Sequence, residues 1–194
     1  MNNPSSEVHP LAPFLPDGAR VLMLGSFPPK RIRWSMEFFY PNLQNDMWRI
    51  FGLVFFGDKN FFADESLKKY KETAIKRFLE EKGIAVADSA KAVFRKKGNA
   101  SDAHLEVLEN FDFLSALKSM PECLALAATG QKSLETVFKT IPPSDLKIGE
   151  SAEFSAFGRS FRIFRMPSSS RAYPMALERK AQFYKVMFCA VGIL

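Results

Sequence analysis

Three uninterrupted apolar runs and one aromatic hairpin punctuate the chain, with helical stripes between them. The first run, Val21-Leu22-Met23-Leu24, stops at Gly25-Ser26-Phe27-Pro28-Pro29. Such a run suits a strand covered on both faces, and the two prolines forbid an immediate helix, so the strand must end in a shaped loop. Gly25 lets backbone approach a ligand closely. Ile84-Ala85-Val86-Ala87-Asp88 and residues 124–128 read as the second and third strands. Phe154, Phe157, Phe161, Ile163 and Phe164 around Gly158 predict a hairpin leading into a fourth, which ends at Met166.

Helical spacing fills the gaps. Met47, Ile50, Phe51 and Val54 mark a helix over 46–56, and Leu67, Tyr70, Ala74, Phe78 and Leu79 mark one over 64–82, with Asp64 as its cap and Gly83 as its stop. Further helices are expected over 110–120, capped by Asp112, and over 131–139. A last one carries Pro174 in its first turn and Leu177, Ala181, Tyr184, Phe188 and Val191 on its apolar face. Alternating strands and helices predict an α/β protein: a three-layer αβα sandwich around a central, mainly parallel, four-stranded sheet. It should form one domain over 19–194 behind a flexible arm at 1–18.

Composition narrows the class. An apolar fraction of 47% and a charged fraction of 25% over 194 residues are ordinary for a soluble globular protein. No apolar run approaches the roughly 20 residues that span a bilayer, and the first residues lack a secretory pattern, so no membrane partner and a cytoplasmic location are expected. Cys123 and Cys189 read as buried free thiols, too few for an iron–sulfur cluster, and His9 and His104 lack the spacing of a zinc site. No metal is expected.

The net charge of +6 matters less than its placement. Lys30, Arg31 and Arg33 follow the first strand, Arg95, Lys96 and Lys97 a loop after the second, Lys132 the third and Arg171 the fourth. In an open α/β sheet, ligands bind beyond the carboxyl ends of the strands, so this topology gathers cations on one rim and points to phosphate.

Other constellations allow two readings. Phe38-Phe39-Tyr40 suits a core or a base-stacking platform. Asn42 and Asn45 suit turns and caps, or the reading of a base edge and the holding of a water. Ser168-Ser169-Ser170, between a strand end and a helix start, suits a turn or a phosphate cradle. The glycine-rich loops of nucleotide hydrolases and dinucleotide enzymes, and the serine elbow of α/β-hydrolases, are missing from the sequence.

Leu24-Gly25-Ser26-Phe27-Pro28-Pro29, then Tyr40-Pro41-Asn42-Leu43-Gln44-Asn45-Asp46-Met47-Trp48, then Met166-Pro167-Ser168-Ser169-Ser170 together resemble the uracil-DNA glycosylase superfamily. The nearest branch is the hypoxanthine-DNA glycosylases, and the similarity runs from about Val21 to Phe188. The resemblance implies a monofunctional DNA glycosylase that flips a deaminated base, of hypoxanthine or uracil type, out of DNA and hydrolyses its N-glycosidic bond. It implies a monomer without a cofactor, whose partner is double-stranded DNA with a damaged base.

By position, Gly25, Ser26 and Phe27 would form the first pocket loop, Tyr40 would stack on the base, and Asn45 would serve the pocket or its frame. Asn42 would orient the attacking water. Ser168, Ser169 and Ser170 would grip phosphates with Lys30, Arg31, Arg33, Lys132 and Arg171, and residues 171–173 would lie near whatever fills the vacated stack. Three positions depart from the family pattern. Phe27 stands where most branches carry a water-activating Asp or Asn, Leu43 replaces a common proline, and Met47 replaces the phenylalanine before Trp48. The first departure also motivates a catalytically inactive nucleic-acid-binding relative. An unrelated α/β protein with a small phosphorylated ligand is a third reading.

Overall fold

The computed structural model describes residues 6–95 and 105–194, so Lys96, Lys97 and His104 lie outside the described residues. In chain order the elements are β1 (Ser6–Val8), β2 (Val21–Gly25), α1 (Met47–Phe56), β3 (Ala63–Asp64), β4 (Lys69–Tyr70), α2 (Glu72–Lys82), β5 (Ile84–Asp88) and β6 (Ala90–Arg95). They continue with β7 (Leu105–Asn110), α3 (Phe113–Ser119), β8 (Ala125–Thr129), α4 (Gln131–Val137), β9 (Ser151–Ala156), β10 (Arg159–Met166) and α5 (Leu177–Ala190).

The central sheet has five strands, not four, in the order β5-β2-β8-β10-β9. The first four are parallel, and β9 adds an antiparallel edge as the first arm of the expected hairpin. Every residue of β2 and β8 is buried. Their side chains alternate between two cores, as the strand period of two demands. Val21 and Met23 pack with α1, α2 and α5 on one face, whereas Leu22 and Leu24 pack with α3 and α4 on the other. The chain runs from β2 outward to β5, then crosses back to β8. The topological switch point therefore lies between Gly25 and Thr129, where an open α/β sheet has its natural crevice.

Several expectations need correction. Residues 6–18 do not hang loose: β1 pairs antiparallel with β6, and Phe14 bridges Val86 of β5 through two backbone hydrogen bonds of 2.9 Å. The helix expected from Asp64 begins only at Glu72. The Asp64 carboxylate instead accepts from the Ser66 hydroxyl and the Leu67 amide, closing a turn that lets β3 and β4 pair. Leu67 is left outside the core, while Tyr70 is buried. Arg95 ends strand β6, not a loop, because β6 finds partners in β1 and β7. Pro174 precedes the last helix by more than a cap, since α5 opens at Leu177. Of the two thiols only Cys123 is buried, which pushes its pKa up to about 11; Cys189 is exposed.

One buried charge cluster ties the loop after β2 to the loop after β10. Asp46 closes the first loop at the start of α1, and its carboxylate accepts from Arg171 Nε and Lys180 Nζ, both at 3.1 Å. Lys180 is 1% exposed, and its ammonium also donates to the Ser170 carbonyl at 2.7 Å. Backbone bonds parallel these contacts: Asp46 N donates to Ser169 O, and Arg171 N donates to Gln44 O. Removing one partner of a buried pair strands the other charge away from water, which costs about 3–5 kcal/mol. Asp46→Ala should therefore lower the unfolding free energy by about that amount, read as a shift in the urea midpoint at an unchanged slope. A loss below about 1 kcal/mol, the value typical of a solvated pair, would show that Lys180 is not sequestered as described.

Candidate functional site

The crevice at the switch point is a cavity of about 450 Å³ walled by five segments of chain, the end of β5 among them. Gly25, Ser26 and Phe27 leave β2; Tyr40, Asn42 and Asn45 come from the loop before α1; Thr129 ends β8; Ser168 to Arg171 follow β10. Most of the residues singled out in the sequence thus meet in one place. Arg33 joins them from the far side of the first loop. Lys30, Arg31 and Lys132 do not line this cavity. Lys132 lines a neighbouring one with Gly130, Arg165 and Tyr173, and Arg31 turns to the Glu37 carboxylate on the surface. Ser168 belongs to both cavities.

A residue missed in the sequence reading forms part of the wall. Asp88, the last residue of β5, lines the cavity across from Gly25. A side chain at position 25 would fall on Asp88 Oδ1 and approach the Tyr40 hydroxyl to 3.2 Å, so glycine is what lets a carboxylate stand there. The other carboxylate oxygen accepts from His9 Nε2 at 2.9 Å, with both side chains 8% exposed. Nδ1 of the same ring bonds the Leu11 carbonyl at 2.9 Å, and the ring sits between Phe27 (edge-on, 5.2 Å) and Phe39 (stacked, 5.8 Å). The strand end of Asp88 was legible, but its partner came from a stretch expected to be loose.

Burial alone would push the His9 imidazole down. The hydrogen bond and charge of Asp88, with the Leu11 carbonyl, outweigh it and hold the pKa above 6.5. The charged ring can donate from Nε2 to Asp88 and from Nδ1 to the Leu11 carbonyl, whereas in the neutral ring Nδ1 would instead accept from the Leu11 amide at 3.2 Å.

Tyr40 holds a left-handed backbone (φ 50°), uncommon for an aromatic residue. Its hydroxyl donates to Thr129 Oγ1 at 2.9 Å, because the Thr129 hydroxyl itself donates to the Leu24 carbonyl at 3.0 Å. That relay fixes the ring against the cavity, edge-on to Trp48. Asn42 Oδ1 accepts from Gln44 N at 2.9 Å. The assignment of oxygen follows from the donor it meets, and it makes the other side-chain atom of Asn42, a lining residue of the cavity, an amide donor. Asn45 Oδ1 accepts from Met47 N, a turn that satisfies the first amide of α1 from one residue before its N-cap, Asp46, the plainer of its two readings. Ser168 and Ser170 hydroxyls accept from the amides two residues on, a turn geometry that keeps each O–H for donation. Ser169 is buried.

Phe27 lines the cavity but is otherwise buried. It is 8% exposed and packs under the small sheet β1-β6-β7 against Ala90, Val93 and Leu105, with the Arg95 guanidinium 5.9 Å from its ring centre. Arg95 in turn pairs with Glu7 of β1 and donates to the Pro28 carbonyl at 3.1 Å. The position where the resemblance calls for a water activator is thus given to packing.

These features define an α/β protein with a polar, cation-rimmed crevice at a topological switch point. No protein-family model matches the chain, and no curated protein sequence does. Among solved structures, the solution NMR structure of a Methanosarcina acetivorans protein provisionally named a uracil DNA glycosylase matches with a TM-score of 0.61. The match covers 92% of this chain and 96% of that one at 20% sequence identity, a likeness of fold. No helix among the described residues is long and apolar enough to cross a membrane.

The His9–Asp88 pair makes stability pH-dependent. A raised histidine pKa contributes stability that is fully present below the unfolded value of 6.5 and is lost as pH rises through the folded value. The stability gap between wild type and His9→Gln should be widest near about pH 6 and narrow by about pH 9, measured by denaturant unfolding. A gap that does not change with pH would show that His9 is neutral in the fold. Gly25→Ala should displace Asp88 and lower the melting temperature by several degrees, about 4–8 °C per kcal/mol for a small domain and less for a larger one.

Proposed function

We propose that the protein is a monofunctional DNA glycosylase that takes a deaminated base, of hypoxanthine or uracil type, into the crevice and hydrolyses its bond to the sugar. The observation that carries this reading is one cavity that combines a carboxylate on its wall, Asp88, with a rim of hydroxyls and cations at Ser168, Ser170, Arg33 and Arg171. A volume of about 450 Å³ is within the range of small-ligand sites and suits a single nucleotide. The likeness in fold to a protein provisionally named a uracil DNA glycosylase supports the same reading.

A base inside a duplex cannot be reached in the stack, so the nucleotide must rotate out; a mispaired or deaminated base does so at lower cost. Hydroxyls and arginines on the rim would hold the backbone phosphates on either side. As the glycosidic bond breaks, its electron pair leaves with the base, which takes up a proton, and positive charge grows on the sugar. The anionic Asp88 favours that charge, and its second oxygen stays engaged by His9. Asn42, donating from its amide, orients the water that adds to the sugar carbon and releases a proton to solvent. Positioning and leaving-group stability, not a strong base, supply the acceleration. The reading invokes no metal or cofactor, and one chain supplies the whole crevice.

The placement of Phe27 favours a second reading, a relative that binds damaged DNA without releasing a base. The experiment that separates the two is base release from labelled duplexes containing hypoxanthine, uracil or xanthine, with Asn42→Ala and Asp88→Asn alongside wild type. The enzyme reading expects release by wild type and a fall of about 10²–10³-fold in Asp88→Asn, the size typical of a lost electrostatic stabiliser. Asn42→Ala should fall by about tenfold or more. Tight, salt-sensitive duplex binding with no release from any of the three bases would establish the binding protein instead.

A further inference from the structure

Rotating a nucleotide out of a duplex leaves a gap in the base stack, and proteins that bend or open DNA often fill such gaps with an apolar wedge. The segment expected to lie near that wedge, residues 171–173, holds none. The Arg171 side chain is tied down by Asp46 and the Leu43 carbonyl. Ala172 offers a single methyl group. Tyr173 lines the neighbouring cavity beside Lys132.

The opposite rim carries a different candidate. Ile32 is 94% exposed, more than any other large apolar residue described. It stands at the tip of a single 3₁₀ turn, Arg31–Arg33, within the loop that walls the crevice. A lone exposed isoleucine means little by itself. Its surroundings add two facts.

First, the turn is held firmly for a surface feature. Trp34 Nε1 donates to the Pro29 carbonyl at 2.7 Å, Ser35 bonds the Pro41 carbonyl through both hydroxyl and amide, and Glu37 N donates to Glu72 Oε2 at 2.9 Å. Arg31 packs its guanidinium 5.4 Å from the Trp34 ring centre while pairing with Glu37. An apolar tip held in place loses little freedom on binding. Second, arginines stand on both sides of Ile32, and Arg33 reaches the crevice itself. Cations flanking an apolar tip complement a duplex, with phosphates on either side of an apolar stack.

We propose that Ile32 is the wedge that enters the base stack as the nucleotide leaves it, with Arg31 and Arg33 on the flanking phosphates. The proposal rests on the glycosylase reading for its ligand, duplex DNA, but not on catalysis. The test compares wild type, Ile32→Ala, Arg33→Ala and Tyr173→Ala on a hypoxanthine duplex with 2-aminopurine next to the lesion. Three quantities are read: duplex affinity against salt, the fluorescence rise on unstacking, and the ratio of base release from duplex to release from the single strand.

Ile32→Ala should lose the fluorescence rise and lower the duplex-to-single-strand ratio by about ten- to a hundredfold, because only a duplex has a stack to fill. Its melting temperature should match wild type, since an exposed side chain makes few contacts. Arg33→Ala should weaken binding and flatten its salt dependence while keeping the ratio. An unchanged fluorescence rise in Ile32→Ala overturns the proposal, as does its loss in Tyr173→Ala alone. A wild type that unstacks the duplex through Ile32 yet releases no base upholds the wedge and sinks the glycosylase. Absence of duplex binding by wild type overturns both.

Discussion

A single buried carboxylate holds the site together. Asp46 faces Lys180 and Arg171 at once, and the three groups fasten the loop that begins α1 to the loop that follows β10. Neither loop has regular structure where it meets the crevice, so neither is positioned by a strand or helix of its own. Their mutual geometry is set by this cluster and by the short backbone bridge between Asn45 and Ser170. Buried ion pairs add little stability against apolar replacements of the same shape. Here the pair sets register: it decides which residues of two distant segments face each other across the cavity.

The parallel sheet supplies what the loops cannot, a rigid floor. β2 and β8 are buried on both faces and end at the switch point, where Gly25 leaves room for a side chain from the neighbouring strand. Asp88 fills part of that room, held by a histidine delivered from the chain's first described residues. The small sheet β1-β6-β7 has a structural task beside it, since it anchors both that histidine and the Phe27-Pro28 turn through Arg95. Crevice and small sheet are thus one construction, with charge on the cavity side and packing on the other.

The mistaken elements share a cause. The stripe from Leu67 to Leu79 spans two structures although it keeps helical spacing: Asp64 caps a turn that continues into β4 and not into a helix, and Tyr70 fits the core equally well from a hairpin. β6 leaves no signal in the local pattern because its partners are β1 and β7, and neither reads as an apolar run. Pairing with a distant strand is a tertiary event that leaves little trace in local pattern. Lys132 follows a strand end as the other cations do, yet on α4 it lines the adjacent cavity.

Patterning alone determined the framework: strands Ile84–Asp88 and Val21–Gly25, helices α1, α3 and α4 to within a few residues, the α/β class, and the loops from which the crevice is built. Those features depend on local period and on Gly and Pro, which act within a few residues of themselves. Tertiary structure decided which side chains of those loops are spent on the fold and which are left for chemistry. Asn45 closes a turn, Phe27 is core, Asp88 is a wall of the cavity, and His9 is its partner from 79 positions away. Such assignments turn on contacts between segments far apart in the chain, and no periodicity encodes a contact of that kind.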